Sequence, residues 1–224
     1  SSIKLKWIKK VENLETYDFI ILPGSKQTIK DQIFLDESGL SNELRSYSSG
    51  KGNIIGICGG LQMLGESLED PYLKEGSKTI LKNGIKGIDI LPLRTTFNKN
   101  KRTKQISCKS LWPCESNIDG FEIHNGKSHF IDHKKGTKLS PLFNDDNLGW
   151  YFENDKGGTT VGTYIHGILE NDLWREGYIN LIRTKKGLPI LDKQEKNYKI
   201  KRDLIIENLA LQFNKYINLS LFLT

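Results

Sequence analysis

The segment from Asn53 to Gly65, with the sequence NIIGICGGLQMLG, constrains the fold more than any other part of the chain. A short apolar run followed by glycines and an amphipathic stretch predicts a buried strand that turns sharply into a helix. Gly56 and Gly59 lack a Cβ, so the backbone can adopt a positive φ there and the strand and helix can approach closely. Cys58 lies at the turn, a geometry that holds a nucleophile beside backbone N–H groups.

Two interpretations of Cys58 follow from its position. A cysteine after an apolar run is often a small buried hydrophobe. The flanking glycines favour a nucleophile at a tight turn, because a cysteine that only fills a core does not need them. We therefore expect a reactive thiol whose pKa is lowered by the N-terminus of the following helix.

Strand and helix patterns alternate in the first part of the chain. A strand is predicted weakly at Lys4 to Ile8 and clearly at Tyr17 to Leu22, and two stretches with helical spacing precede the strand at Asn53. This order indicates a parallel sheet with crossover helices, in which ligands collect at the carboxyl ends of the strands. The glycine-bearing turns at Gly24 and Cys58 should therefore share one edge of the sheet and could form an oxyanion site.

The pattern changes between Gly76 and Phe152 to shorter segments with frequent glycine, which predicts antiparallel strands and an uncertain loop from Asn98 to Asn117. A final strand is predicted from Thr160 to Ile165, and helices at Asn171 to Thr184 and Arg202 to Tyr216. The length of 224 residues suits one α/β domain with a modest appendage. We divide the chain into a domain at residues 1–184 and a helical extension packed on it at residues 185–224.

Composition excludes several classes of function. The 33 Lys and Arg against 27 Asp and Glu give a net charge of +6, but the lysines are scattered and do not indicate a nucleic-acid groove. The absence of a long apolar stretch and of a signal-peptide pattern predicts a cytoplasmic protein that does not enter a membrane. The 3 cysteines include no C-x-x-C pair, so we expect neither a disulfide framework nor a metal site.

A thiol nucleophile needs a proton acceptor within hydrogen-bonding distance, and histidine is the usual one. His129 and His133 lie in a polar stretch that is typical of a surface, whereas His124 ends a predicted strand. His166 closes the last strand, and it reaches the same edge as Cys58 if that strand is parallel to its neighbours. We therefore favour His166 as the base.

Gln62 lies about one helical turn beyond Cys58, so its amide could face a ligand bound above the thiol. Such an amide would suit recognition of another amide or of an amino acid. The alternative is a solvent-exposed glutamine on a helix surface.

Five motifs occur in order: PGSKQT at 23–28, ICGGLQMLG at 57–65, EDP at 69–71, GFEIHNG at 120–126 and GTYIHGI at 162–168. Together they closely resemble the glutamine amidotransferase domain of the cobyric acid synthase family, over about Ile3 to Asn180. This family is a branch of the triad-type (class I) glutamine amidotransferases. The resemblance implies a flavodoxin-like α/β fold with an open, mostly parallel sheet, flanking helices and an added antiparallel portion.

The resemblance also implies a reaction. Cys58 would attack the side-chain amide of glutamine, ammonia would leave, and water would hydrolyse the resulting thioester to glutamate. His166 would act first as a base and then as an acid. The contacts with the oxyanion and the glutamine would come from four residues, Gly24, Ser25, Gly59 and Gln62.

The third catalytic group stays open. Most triad-type amidotransferases have a glutamate two residues after the histidine, but this chain has Ile168 there. The cobyric acid synthase branch also lacks that glutamate. The tentative candidates are Glu122, with His124 close to it in sequence, Glu170 and Asp172.

The family enzyme carries an N-terminal ATP-dependent synthetase domain, but no phosphate-binding G-x-x-x-x-G-K-[ST] loop occurs in this chain. We expect no cofactor on the chain itself, and ATP and Mg²⁺ at the absent synthetase domain. That domain would amidate the corrinoid adenosylcobyrinic acid a,c-diamide at peripheral carboxylates, in cobalamin biosynthesis. We also expect the opening strand of the amidotransferase domain to precede Ser1.

Three alternatives remain. The cobyrinate a,c-diamide synthase shares the fold and the thiol, but typically has Met where this chain has Gln62. The amidotransferase subunit of the lipid II amidating complex suits the length but fits the motifs less well. The third alternative is a non-catalytic scaffold that keeps the fold.

Overall fold

The computed structural model describes residues 3–75, 84–131, 138–191 and 197–217. Its helices are α1 (Thr28–Glu37), α2 (Leu40–Ser49), α3 (Gly59–Leu64), α4 (Asp172–Lys185) and α5 (Tyr198–Tyr216). Its strands are β1 (Ile20–Leu22), β2 (Asn53–Ile57), β3 (Ser67–Glu69), β4 (Ile85–Lys86), β5 (Leu93–Ser110), β6 (Ser116–Phe130), β7 (Ser140–Pro141), β8 (Gly149–Glu153), β9 (Thr159–Thr163) and β10 (Ile165–His166).

The first sheet has the strand order β1-β2-β9-β8-β7. β1, β2 and β9 are parallel, and β8 and β7 extend the sheet in the antiparallel direction. Ile57 at the end of β2 pairs with Thr163 at the end of β9, so the segments that follow these two strands leave the sheet side by side. The predicted parallel sheet is confirmed, and its carboxyl edge carries Cys58.

The second sheet has the order β10-β6-β5-β3-β4 and contains a long antiparallel hairpin of β5 and β6. The predicted antiparallel portion is therefore confirmed, but the predicted loop from Asn98 to Asn117 is wrong, because most of it is paired strand. The register of the hairpin shifts between the pairs Phe97↔Gly126 and Arg102↔His124. Between these pairs β5 has the four residues 98–101, whereas β6 has the single residue Asn125. A bulge of this kind bends a strand and redirects its side chains.

Two apolar clusters form the core on opposite faces of the first sheet. Successive residues of a strand point to opposite faces, and Ile54 and Ile55 of β2 are both fully buried in different clusters. The cluster with Ile54 includes residues of α1, α2 and α3, and the cluster with Ile55 includes Trp174 and Tyr178 of α4. Helices on both faces explain why β2 reads as a continuous apolar run.

Three element predictions need correction. Lys4 to Ile8 is not a strand, and its weak alternation corresponds to a mainly exposed segment. The helix after Cys58 ends at Leu64, several residues earlier than its apolar pattern suggests, and the chain continues into β3. The predicted C-terminal helix is present as α5, but it buries none of its residues. Packing of residues 185–224 on the domain therefore stays a prediction.

Among the described residues, no helix combines the length and the apolar character needed to cross a membrane.

Candidate active site

Cys58 lies at the predicted turn between β2 and α3, with a φ of 52°. A positive φ is uncommon for a residue with a Cβ and stores backbone strain. The turn is held by two backbone hydrogen bonds: the Cys58 N–H donates to the Thr163 carbonyl over 2.8 Å, and the Gln62 N–H donates to the Cys58 carbonyl over 3.1 Å. The cysteine itself, and not a glycine, therefore carries the strained conformation.

The glycines around Cys58 are required for close approach. A Cβ on Gly60 would lie 2.0 Å from the Leu22 carbonyl oxygen, and a Cβ on Gly59 would lie 2.8 Å from the Ser25 nitrogen. Neither Gly56 nor Gly59 has a positive φ, so that part of our expectation is wrong. Their function is to let α3 pack directly against the backbone of β1 and β2.

The structure brings the thiol and His166 together at one carbonyl. The Cys58 thiol donates to the Ile123 oxygen over 3.3 Å, and His166 Nε2 lies 3.2 Å from the same oxygen. Gly24 borders both groups, since a Cβ there would lie 3.3 Å from His166 Cε1 and 3.7 Å from Cys58 Cβ. The ends of β1, β2 and β9 thus converge as the sequence predicts.

Ser25 supports the turn after β1. Its hydroxyl donates to Asp31 and accepts from the Gln27 N–H over 2.8 Å, which ties the turn to the start of α1. The Ser25 backbone nitrogen lies beside Gly59 at the same time. Gly24, Ser25 and Gly59 therefore form one continuous rim next to the thiol.

Gln62 is buried, with 2% of its surface exposed, which contradicts the alternative of a solvent-exposed helix residue. Its Oε1 accepts a long 3.5 Å hydrogen bond from Thr28 Oγ1. Within the described ranges its Nε2 has no partner of good hydrogen-bond geometry, although the Tyr164 hydroxyl lies nearby. Buried amides normally have partners, and this Nε2 faces Gly126 of β6, where a Cβ would lie 2.6 Å from it.

The acidity of Cys58 differs from our expectation. Burial raises the pKa of its thiol to about 11, and the Gly59 N–H opposes this only in part. The nearby charges act in opposite directions on this pKa: Glu75 raises it and Lys101 lowers it. Burial dominates because the residue is only 6% exposed, so the prediction of a lowered pKa is wrong.

The candidates for the third catalytic group contact different parts of the structure. Ile168 is fully buried in the core cluster around α4. Glu170 pairs with Arg202, and Asp172 pairs with Arg175, so both carboxylates have partners on the C-terminal helices. Glu122 lies on β6, where its Oε1 forms an ion pair with Arg102 Nε at 2.6 Å and lies 2.9 Å from His124 Nε2.

Sequence reasoning missed the Ile123 carbonyl. The motif GFEIHNG contains it, and the alternation of that strand places Glu122 and His124 around it, but no side-chain pattern identifies a backbone acceptor. Glu75 was also missed. Its carboxylate accepts from the Thr28 N–H over 2.7 Å and lies near the thiol, and burial raises its pKa.

Within the part of the chain that the structure describes, no group of three or more His, Cys, Asp or Glu side chains is placed to hold a metal ion. The candidate site brings together a thiol, an imidazole and a buried amide, bordered by the backbone of Gly24, Ser25 and Gly59.

Comparison with known proteins gives a consistent result. The family model described as the CobB/CobQ-like glutamine amidotransferase domain matches residues 1–174. A crystal structure of a glutamine amidotransferase is similar with a TM-score of 0.56 at 18% identity, over 83% of this chain and 88% of that one. At this identity the similarity concerns the fold.

Curated relatives are closer in sequence. The chain is 64% identical to the cobyric acid synthase of Prochlorococcus marinus strain MIT 9312, over 98% of this chain and 43% of that protein. It is 62% identical to the cobyric acid synthase of strain MIT 9301, over 100% of this chain and 44% of that protein. The chain therefore spans less than half the length of these relatives.

Proposed function

The chain belongs to the CobB/CobQ-like glutamine amidotransferase family, and from this premise we propose that Cys58 and His166 hydrolyse glutamine to glutamate and ammonia. The observation that carries the proposal is the contact of both side chains with the Ile123 oxygen, at 3.3 Å and 3.2 Å. Two groups bound to one atom are neighbours, so a rotation of the Cys58 side chain can direct its proton to the unprotonated ring nitrogen of His166.

The first half of the reaction forms a thioester. Cys58 Sγ attacks the amide carbon of glutamine while its proton passes to His166, and the carbonyl oxygen becomes an oxyanion. The N–H groups of Gly24 and Gly59 stabilise that charge, and losing one such donor costs about 100-fold in rate. His166 then returns the proton to the nitrogen, the C–N bond breaks and ammonia leaves.

The second half releases glutamate. Water attacks the thioester while His166 accepts its proton, and the C–S bond breaks as His166 returns that proton to Cys58 Sγ. The same rim of N–H groups serves both tetrahedral intermediates because the carbonyl oxygen does not move between them. Gln62 is the residue to which the family resemblance assigns glutamine binding, and its Nε2 is a buried donor without a well-aligned partner among the described residues.

The raised pKa of Cys58 defines how the thiol is activated. With a pKa of about 11, the thiol is protonated near neutral pH in the free chain. Attack therefore requires transfer of the proton to His166 as the carbon–sulfur bond forms, and does not start from a stable thiolate.

The proposal extends to a longer protein. At 64% identity to a cobyric acid synthase, this chain supplies ammonia to a synthetase part that precedes it in such proteins. That part would use ATP and Mg²⁺ to activate the carboxylates of adenosylcobyrinic acid a,c-diamide. The reaction belongs in the cytoplasm, where a free catalytic thiol is kept reduced.

A glutaminase assay tests the proposal. We expect the chain to release glutamate from glutamine, slowly when alone and faster with the N-terminal part of the 64% identical relative. Cys58→Ala and His166→Ala should abolish release in both mixtures. Absence of glutamate with the wild-type chain in both mixtures would contradict the proposal and favour a scaffold.

A further inference from the structure

The Ile123 carbonyl is the shared hydrogen-bond acceptor of the Cys58 thiol and of His166. It contacts His166 Nε2 over 3.2 Å, whereas the residue two positions after the histidine, Ile168, lies in the core. A carbonyl oxygen can only accept hydrogen bonds. The contact therefore requires a proton on Nε2, and in a neutral imidazole the lone pair is then on Nδ1.

The position of this carbonyl depends on the side chains on either side of it. His124 bridges two acceptors on its own strand, the Glu122 carboxylate at 2.9 Å from Nε2 and the Gly126 carbonyl at Nδ1. The His124 ring also stacks on Tyr164, with 3.9 Å between the ring centroids. Ile123 lies inside this bridge, so its backbone is fixed from both sides.

The bridge also lies next to His166 within the second sheet. Glu122 pairs with Ile165 in the ladder between β6 and β10, next to His166. Glu122 and His124 each have less than a tenth of their side-chain surface exposed, at 5% and 8%. Hydrogen bonds between buried polar groups of this kind fix a single arrangement because breaking one leaves an unpaired group.

We propose that Glu122 and His124 are positioning residues that hold the Ile123 carbonyl against Cys58 and His166, and that this carbonyl sets the resting tautomer of His166. The inference rests on the proposed glutaminase function. Neither side chain touches the substrate. Each acts through the backbone of Ile123, which selects the tautomer of His166 and accepts the thiol proton in the resting site.

The tautomer of His166 is a direct test that needs no turnover. In the ¹⁵N-labelled chain, nitrogen chemical shifts at neutral pH should identify Nε2 as the protonated nitrogen of His166, with assignment by the His166→Ala spectrum. A proton on Nδ1 with a free Nε2 would overturn the inference, whatever the activity of the chain. This measurement therefore separates its failure from the failure of the proposed function.

A kinetic test compares two glutamates. Glu122→Gln should lower kcat by about 10 to 100-fold with little change in KM, because a displacement of about 1 Å in a reacting group costs about that much. Glu153→Gln is the matched control and should leave both constants unchanged, since Glu153 pairs with Lys185 on α4 and lies beside Thr159 at the start of β9, away from Cys58. Equal kcat values for the two variants would overturn the inference.

His124→Phe gives an independent variant that keeps the ring stacked on Tyr164 but removes both hydrogen bonds. We expect the same fall in kcat, and a loss of the Nε2-protonated signal of His166. Circular dichroism of each variant checks that it is folded. A folded His124→Phe variant with wild-type kcat and an unchanged His166 signal would contradict a positioning role.

Discussion

Cys58 lies at the turn expected for a nucleophile, but burial raises the pKa of its thiol. Its pKa of about 11 predicts that the rate of alkylation by iodoacetamide rises about tenfold per pH unit from neutral pH to about 10 and levels off near 11. The sign follows from the thiolate being the reactive form and the minor form below the pKa. Cys58→Ala gives the background from the other thiols, and saturation near pH 8 would contradict the prediction.

The charges around the thiol predict the direction of two further shifts. Glu75→Gln should lower the pKa of Cys58, because Glu75 raises it, and Lys101→Met should raise that pKa, because Lys101 lowers it. Both are measured from the same alkylation profiles. Shifts in the same direction would show that the charges do not act on the thiol as the structure indicates.

Gln62→Met separates binding from stability. The variant removes a buried amide whose Nε2 has no well-aligned partner and whose Oε1 accepts only a long 3.5 Å hydrogen bond from Thr28, so we expect unfolding by urea to show nearly unchanged stability. The KM for glutamine should rise about tenfold, which corresponds to a hydrogen bond of about 1.4 kcal/mol. A clear loss of stability with an unchanged KM would show that the amide is structural.

Residue-level prediction from sequence succeeded where side-chain identity carries the signal. The glycine pattern around Cys58 and the strand before His166 were enough to predict that the two meet at one edge. The pKa of the thiol was predicted with the wrong sign because burial, which is a property of the folded chain, outweighs the local N–H groups.

At the scale of elements, the packing of α3 against β1 depends on Gly60. A Cβ at this position would lie 2.0 Å from the Leu22 carbonyl oxygen, and backbone cannot move aside as a flexible side chain can. We expect Gly60→Ala to lower the free energy of unfolding by about 1 to 3 kcal/mol. In Gly50→Ala the nearest atom lies 3.5 Å away, so this control should change stability little, and equal effects would contradict the packing argument.

Two isoleucines test the environments of α4 and α5. Ile182 in α4 is 4% exposed and Ile205 in α5 is 61% exposed. Ile182→Ala should lower the free energy of unfolding by about 2 to 5 kcal/mol, whereas Ile205→Ala should change it by less than about 0.5 kcal/mol. A large loss for Ile205→Ala would show that α5 packs on the domain after all.

Element prediction worked best for the parallel half of the fold. The apolar run of β2 and the turns after β1 and β2 are local signals, so both strands were found. The part of the β5–β6 hairpin from Asn98 to Asn117 was predicted as a loop because the Lys-rich strand has many exposed positions and little apolar alternation. Its pairing with β6, and not its own propensity, makes it a strand.

For the molecule as a whole, the site lies where the two sheets meet. Cys58 follows the first sheet, and His166 and Ile123 belong to β10 and β6 of the second. A sequence pattern predicts each strand but not which strands of different sheets come together. The meeting point could be inferred only from the motifs as a set.

The three thiols of the molecule differ in their location more than in their pKa values. Burial raises the pKa of both Cys58 and Cys108 to about 11, and also raises that of Cys114. A glutamine-analogue electrophile should therefore label Cys58 first because it binds at the site, as mass spectrometry of the peptides would show. Excess glutamine should protect Cys58 alone, and faster labelling of Cys108 or Cys114 would contradict the site assignment.

The contact of the Ile123 carbonyl with Cys58 and His166 has an evolutionary consequence. Every residue type carries the same backbone oxygen, so this position can accept many substitutions without losing its chemistry. Selection would act instead on the neighbours that fix the backbone, Glu122 and His124. Among related sequences, a variable residue at position 123 between an invariant glutamate and an invariant histidine would then indicate a functional backbone oxygen, which no substitution can remove.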